Sequence, residues 1–341
     1  MFLFPAPPRR RSSMGNRHRL RFYFLLIFIG TCLGCRGAPS EPLRIGYNVW
    51  PGFETLYLAH QKGFFDEEQA PVLLKDFTSF TDLLKAIRLG RLEGAAVSLN
   101  EMLLSRLGTS YRVVLALDES FGSDGIVGQS RIGLMKDLRQ KRVGVELNGL
   151  GAYVLTRALQ KSGLSMSDVI PVHITPHEEA YSAFVEKEVD AVVTFEPILS
   201  RLIRERKANL LFTSREIPAE IIGVLIFRED VLENRREDCV KVVKAYFKAI
   251  DFWKKNPEEA MAIMAKREQV SPDQFRRSLK GILIPDFSAN YILFGLNQTE
   301  NYFSEAVKHF QSFMEQNNLV YHEVLFEDLL SGLKESEGEI F

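Results

Sequence analysis

Cysteine is nearly missing from this chain of 341 residues, with three in all, at 32, 35 and 239. Only Cys239 lies in the body of the sequence, so no disulfide framework can form there and no Cys/His spacing for a metal exists. Cys239 falls in an amphipathic helical pattern and reads as a buried core thiol. Tryptophan occurs twice, and the six histidines (18, 60, 173, 177, 309, 322) are scattered. A Gly-x-Ser-x-Gly elbow, a zinc motif and a phosphate loop are all absent, which leaves hydrolytic and nucleotide chemistry without its usual residues. Neither sign of charge is in excess, the formal net charge being −1. No segment approaches the roughly 18 consecutive apolar residues of a membrane-spanning helix.

What is present begins near the start. An uncharged run of twelve residues, Phe22 to Leu33, follows Arg17, Arg19 and Arg21 and leads into Gly34-Cys35. As a helix it would be about 18 Å long, short of the ~30 Å hydrocarbon core. It therefore reads as the apolar region of a secretory signal. Cys32-Leu33-Gly34-Cys35 resembles a bacterial lipoprotein cleavage box, with Cys32 where Leu is usual and Cys35 as the residue that would carry lipid. A plain signal peptide cut nearby is the alternative. The expected parts are a signal peptide over 1–34 and a tether over 35–42. Arg9-Arg10-Arg11 and two Pro-rich turns precede Met14, and a start at Met14 gives a leader of ordinary proportions. Either cut places the body outside the cytoplasm, with Cys35 as the anchor in the lipoprotein case. Without six leader arginines the formal charge becomes −7 over 307 residues, mildly acidic and unsuited to a nucleic-acid partner.

That length suits two lobes rather than one core. Short apolar runs alternate with helix-period segments, the signature of α/β architecture with parallel strands. Strands are expected at 43–49, 71–77, 94–98 and 112–117, with helices at 54–62, 81–89 and 99–107 between them. The pattern restarts with strands at 142–146, 169–174 and 191–195, helices at 151–162, 177–187 and 197–206, and a last parallel strand at 210–213. The apolar segment 221–227 then carries the chain back to the first lobe, and a mostly helical part follows. Asn256-Pro257-Glu258 and Ser271-Pro272-Asp273 each place a capping residue before Pro at the first helical position, and Thr175-Pro176-His177 does the same. The expected lobes are 43–122 with 223–341, and 123–222.

Candidate site residues gather at strand ends, where open α/β sheets collect their ligands. Trp50, held by the turn Pro51-Gly52 at the end of the first strand, is placed to line a pocket; a lid on the lobe's core is the alternative. Ser98 and Asn100 follow the third strand as hydrogen-bond donors or helix caps. Asn148-Gly149-Leu150-Gly151-Ala152-Tyr153 follows a strand and opens a helix like part of a dinucleotide fingerprint. Val154 replaces the third glycine and no acid ends the next strand, so NAD is not expected. Exposed N–H groups at such a helix start still suit polar or anionic atoms. Asp118, Asp124, Glu146 and Glu196 lie near strand ends or lobe crossings, where few Lys or Arg do. With Trp50, Tyr153 and Phe195 they suit an amine, amidine or aminopyrimidine better than an oxyanion. Helix capping and ion pairing are the competing roles for these acids, above all for Glu196, which begins a helix.

Four motifs in order carry a family resemblance. They are Gly46-x-x-x-Trp50-Pro51-Gly52 with Leu56-Tyr-Leu-Ala59 and Gly63-Phe-Phe65, then Asp124-Gly-Ile-Val, then Asp137-Leu-x-x-Lys141-Arg-Val-Gly-Val-Glu146, then Val189-Asp-Ala-Val-Val-Thr-Phe-Glu-Pro197. Across roughly residues 43–265 the chain resembles solute-binding proteins of the nitrate/sulfonate/taurine type, a group that includes thiamine-precursor binding proteins. The resemblance implies an α/β, two-lobed periplasmic-binding-protein-like (type II) fold with a central cleft and a helical C-terminal part. It also implies a receptor, monomeric and without cofactor or metal, that closes on a small molecule and delivers it to the membrane permease of an ABC importer. Pyrimidine-precursor synthases resemble these proteins too, but a clustered His/Cys set of the kind such chemistry wants is not in the sequence. A solute sensor on the same fold is the other alternative.

Overall fold

The computed structural model describes residues 41–105, 110–147, 149–175, 178–296, 302–316 and 325–330. The expected signal peptide, Met14, Cys35 and the tether up to residue 40 lie outside the described residues, as do Asn148, Pro176, His177 and His322. All elements named below fall in the unit Pro42–Phe341. No described helix is long and apolar enough to cross a membrane.

Twelve strands occur among the described residues: β1 (Leu43–Asn48), β2 (Val72–Phe77), β3 (Gly94–Ser98), β4 (Tyr111–Ser120), β5 (Asp124–Gly128), β6 (Arg142–Val145), β7 (Ile170–His173), β8 (Ala191–Phe195), β9 (Asn209–Thr213), β10 (Ile222–Arg228), β11 (Ile282–Leu283) and β12 (Leu325–Phe326). They form two sheets. The first runs β11-β4-β10-β3-β1-β2 with β12 also pairing β4, and the second runs β7-β6-β8-β5-β9. Within the first, β1 pairs parallel with β2 and β3, while β10 runs antiparallel between β3 and β4. Within the second, β6 pairs parallel with β7 and β8, and β5 runs antiparallel between β8 and β9.

Most expected strands and helices are found within a few residues of their expected bounds, because apolar runs of that length have to be buried somewhere. Three differences bear on the site. β4 extends to Ser120, so Asp118 is carried within the strand rather than after it. The segment Asp124–Gly128, expected only as part of a motif, is a strand; with two glycines in five residues it shows too little apolar pattern to be read as one. The expected parallel strand 210–213 points the way β8 does, but β5 is wedged between them, so its actual pairing is antiparallel.

The chain passes from the first sheet to the second over residues 121–123 and returns over 214–221. These two crossings are tied to each other and to the C-terminal part. The hydroxyls of Ser120 and Ser214 lie 2.8 Å apart, Gly122 N donates to Ser214 Oγ at 2.6 Å, and Phe121 N donates to the Gly281 carbonyl at 2.7 Å.

The largest core surrounds the first sheet and takes in the long helix Arg236–Lys255, where Cys239 is buried as expected and its thiol is pushed up to about 12 by burial. Asn290 is buried against β4: its Oδ1 accepts from Ala116 N at 2.8 Å and its Nδ2 donates to the Ala116 carbonyl at 3.1 Å. Ser271 caps its helix as the sequence suggests. Asn256 does not; its amide turns back to the Phe252 carbonyl at 3.2 Å. The helix Tyr302–Gln316 reaches toward the second sheet, packing Phe310 and Phe313 on Tyr153 of the helix Leu150–Lys161.

Candidate functional site

Strand register brings the site together. Gly223 of β10 lies level with Ser98 of β3 on one side and Asp118 of β4 on the other. In the second sheet Asp124 lies level with Phe195, and Gly125 with Thr194. The two sheets face one another through these rows, enclosing a narrow cavity of about 70 Å³. That is room for a few waters or a compact solute.

From the first sheet, Asn48, Trp50, Phe53, Thr78, Ser98 and Asp118 contribute to the wall. From the second come Asp124, Glu146, Gly151, Val154, Thr194 and Phe195. Trp50 and Phe195 meet across the cavity, ring centroids 5.5 Å apart and nearly perpendicular. Trp50 Nε1 donates to Asp118 Oδ2 at 3.1 Å. Two glycines make that contact possible: a Cβ at Gly52 or at Gly223 would overlap the Asp118 carboxyl.

Four carboxyl groups line the cavity, those of Glu101, Asp118, Asp124 and Glu146, and no Lys, Arg or His does so among the described residues. Burial pushes Asp118 up to about 8, with the Trp50 hydrogen bond opposing and Asp124 adding to it. Burial likewise pushes Glu101 up to about 8 against the hydrogen bonds from Ser98, and Asp124 up to about 7. Glu146 is raised by burial, with His173 opposing. Two polar atoms of the lining, Asp124 Oδ2 and Thr194 Oγ1, are buried without a hydrogen-bond partner. Unpaired buried polar atoms cost roughly 1–3 kcal/mol each, so a solute that supplies their partners is favoured.

These shifts set a pH dependence. An acid whose folded-state pKa is raised contributes stability that is fully present below its unfolded value, near 4, and is lost as pH rises through the folded value. The thermal midpoint of the ligand-free protein is expected to fall between pH 6 and pH 9, through the values of about 7 and about 8. Asp118→Asn should flatten part of that slope. Differential scanning calorimetry across the range checks it, and a midpoint that rises with pH would refute burial as the dominant cause.

Of the residues expected at the site, Trp50, Ser98, Asp124, Glu146, Gly151 and Phe195 line the cavity. Six lie elsewhere. Pro51 and Gly52 form the buried turn behind Trp50. Gly149 backs onto the Glu146 carboxyl, and Asn100 is buried in the first turn of the helix Leu99–Leu104 with its Oδ1 unpartnered. Glu196 caps the helix Ile198–Arg206, accepting from Ser200 N at 3.2 Å and Ser200 Oγ at 2.6 Å. Tyr153 turns away, donating its hydroxyl to Glu220 at 2.5 Å. The reason is helical geometry: at about 100° per residue, Leu150, Gly151 and Val154 share one arc and Tyr153 falls about 60° outside it.

Sequence reasoning missed Glu101, Thr194 and Gly223. Glu101 had a readable signal, because Ser98-x-x-Glu101 is a capping box. Ser98 N donates to Glu101 Oε2 at 3.0 Å, and Glu101 N donates to Ser98 Oγ at 3.1 Å. This engages Ser98 as a cap and brings a fourth carboxyl to the cavity. Gly223 had no such signal, since its place depends on β10 inserting between β3 and β4.

Known proteins share this architecture. The alkanesulfonate-binding protein of Xanthomonas axonopodis pv. citri, solved with MOPS, superposes with a TM-score of 0.67 at 20% identity, over 84% of this chain and 97% of that one. The ligand-binding component of an ABC-type import system from Staphylococcus aureus, solved with zinc bound, gives a TM-score of 0.69 at 17% identity, over 86% of this chain and 98% of that one. Both show the two-lobed fold of periplasmic binding proteins. In sequence, a Bacillus subtilis protein that carries the name of an aliphatic sulfonates-binding protein is 25% identical over 247 residues, 69% of this chain and 74% of its own length. The model of the NMT1-like family matches residues 36–269, and the chain belongs to that family.

Proposed function

We propose that the protein is the extracytoplasmic receptor of an ABC importer, and that its solute is a small cation or aminopyrimidine-like molecule rather than an oxyanion. The observation that carries the solute class is the cavity lining: four carboxyls, the orphaned atoms Asp124 Oδ2 and Thr194 Oγ1, and no cationic side chain among the described residues. An amidine or aminopyrimidine edge presents N–H donors to those acceptors through charge-assisted bonds, and its ring packs against the edge-on Trp50–Phe195 pair. The receptor role is supported by family membership and by the fold shared with the Staphylococcus aureus import component.

In this reading, lobe 43–122 with 223–341 and lobe 123–222 close about the crossings at 121–123 and 214–221. Closure draws only on the solute's extra affinity for the closed form. The body is monomeric, follows a signal peptide over 1–34, is anchored through a lipidated Cys35, and meets the permease with its closed lobes.

One feature favours a second reading. Leu150 and Gly151, in the first turn of the helix Leu150–Lys161, line the cavity, and N–H groups there suit an oxyanion. A thermal-shift screen separates the two. Amines, amidines and aminopyrimidines should raise the midpoint, whereas sulfonates, nitrate and bicarbonate should not. Stabilisation by the second set alone would overturn the cationic assignment and make the four carboxyls structural.

A further inference from the structure

Tyr153 belongs by sequence to the second lobe, yet it fills the core of the first. Of the described residues between 123 and 221, it alone is buried in the apolar cluster around the first sheet, with Leu150 and Phe195 packed partly buried against that cluster. Its ring is 1% exposed and lies 4.9 Å from Phe310 and 4.8 Å from Phe313, centroid to centroid, the second pair nearly perpendicular.

Each side of this contact is fixed to its own lobe. On the helix Tyr302–Gln316, Phe303 packs on Phe294 at 5.1 Å and on Phe326 of β12 at 5.0 Å, and β12 pairs with β4 of the first sheet. On the other side, the Tyr153 hydroxyl donates to Glu220 Oε2 at 2.5 Å. Arg157, one turn along the same helix, donates to both oxygens of Glu220 at 2.7 and 2.8 Å. Burial disfavours the Glu220 carboxylate, but these bonds and the charge of His309, from the helix Tyr302–Gln316, hold it below the usual range. Val154 and Leu155, the next two residues, are buried in the core of the second sheet. Tyr153 therefore moves with the second lobe and its phenylalanines with the first.

The same helix start lines the cavity through Leu150 and Gly151. Tyr153 follows them within one turn, so the place of that wall is set by where the Tyr153 ring docks. Rotation of the second lobe about the crossings draws Tyr153 off Phe310 and Phe313 and returns apolar ring surface to water, which disfavours the open form. The ring is docked in the same arrangement in which Trp50 meets Phe195 across the cavity.

We infer that Tyr153, Phe310 and Phe313 are positioning residues that form a third, non-covalent tie between the lobes, setting the Leu150–Gly151 wall and holding the lobes closed before the solute arrives. The inference rests on the two-lobed closure proposed above and not on the class of solute. A receptor biased in this way loses less affinity to its own opening, because apparent affinity scales with the fraction already closed.

Spin labels at Lys85→Cys, in the helix Phe80–Arg88, and Lys161→Cys, at the end of the helix Leu150–Lys161, read the separation of the lobes in the ligand-free protein by pulsed electron paramagnetic resonance. Both positions are exposed, whereas Cys239 is buried away from the label. One short distance is expected for the labelled parent. Tyr153→Ala should shift the ratio of open to closed forms about tenfold toward a longer distance. Tyr153→Phe keeps the ring and should leave the distribution as it was. Phe313→Ala breaks the contact from the other lobe, and it carries the test if Tyr153→Ala does not fold. A melting curve accompanies each variant; a merely structural tyrosine would lower the midpoint without moving the distance. A parent already spread over long distances, or a distribution unchanged in the folded variants, overturns the clasp. Thr194→Trp, a ring too large for a cavity of about 70 Å³, is the control for closure itself. If it lengthens the distance while Tyr153→Ala does not, only the clasp fails; if it too changes nothing, the closure on which the clasp rests fails with it.

Discussion

Trp50→Ala is expected to weaken capture of a cationic solute about tenfold or more, since one ring face lost to a desolvated cation is worth roughly 1–2 kcal/mol. The indole does two things at once. It forms one wall of the cavity edge-on to Phe195 at 5.5 Å, and its Nε1 holds Asp118 Oδ2 at 3.1 Å. That hydrogen bond opposes the burial that raises the Asp118 carboxyl to about 8. Without it the carboxyl keeps its proton more firmly and attracts a cation less. Trp50→Phe separates the effects by keeping a ring and removing the donor. Calorimetry with the strongest amine or amidine from the screen reads both variants, with circular dichroism to check the fold. Unchanged affinity for Trp50→Ala would remove this residue from the site.

The second large effect concerns stability. Arg267→Met is expected to cost about 3–5 kcal/mol, the usual penalty for leaving one partner of a buried ion pair alone. Arg267 ends the helix Pro257–Arg267, its side chain only 8% exposed, and it pairs with the fully buried Glu54. It also pairs with Asp76 at 2.5 Å, and its guanidinium lies 4.0 Å over the Tyr47 ring. One side chain thus joins β1, the helix after it, the end of β2 and the C-terminal helical part. Burial and the neighbouring Glu268 hold Glu54 well above the usual carboxylate range, and Arg267 is the group that opposes them. Removing it raises Glu54 further, and stability held by a raised acid is lost as pH rises. The loss should therefore be larger at pH 8 than at pH 5. Urea unfolding at both values measures this, and equal losses would mean that packing over Tyr47, not charge, is the cause. Arg267→Lys should recover only part, because an ammonium cannot reach both carboxylates with a planar fork.

Local pattern determined much of this protein from the sequence alone. Apolar runs of four to seven residues between helix-period segments could only be buried strands, and Trp50-Pro51-Gly52 could only turn the chain at a strand end. The acids at 118, 124 and 146 were readable as a set because each was expected near a strand end or a lobe crossing, where an α/β fold opens its cleft. Even the cap role of Glu196 stood among the alternatives, since an acid before Pro197 and a helix suits the helix dipole.

What only the tertiary structure decided depends on partners far apart in the chain. β5 and β10 each insert antiparallel between two strands that run parallel to one another, and that insertion sets Gly223 beside Asp118 and Phe195 beside Asp124. No local signal encodes it, because strand pairing is chosen by the whole sheet. Tyr153 shows the same limit at finer scale. Its position at a helix start suggested the cleft, but one step around the helix and two phenylalanines from residues 310 and 313 gave it a core to fill instead. The protonation of the four carboxyls is likewise a tertiary property, since it comes from desolvation, and desolvation exists only once both sheets face each other.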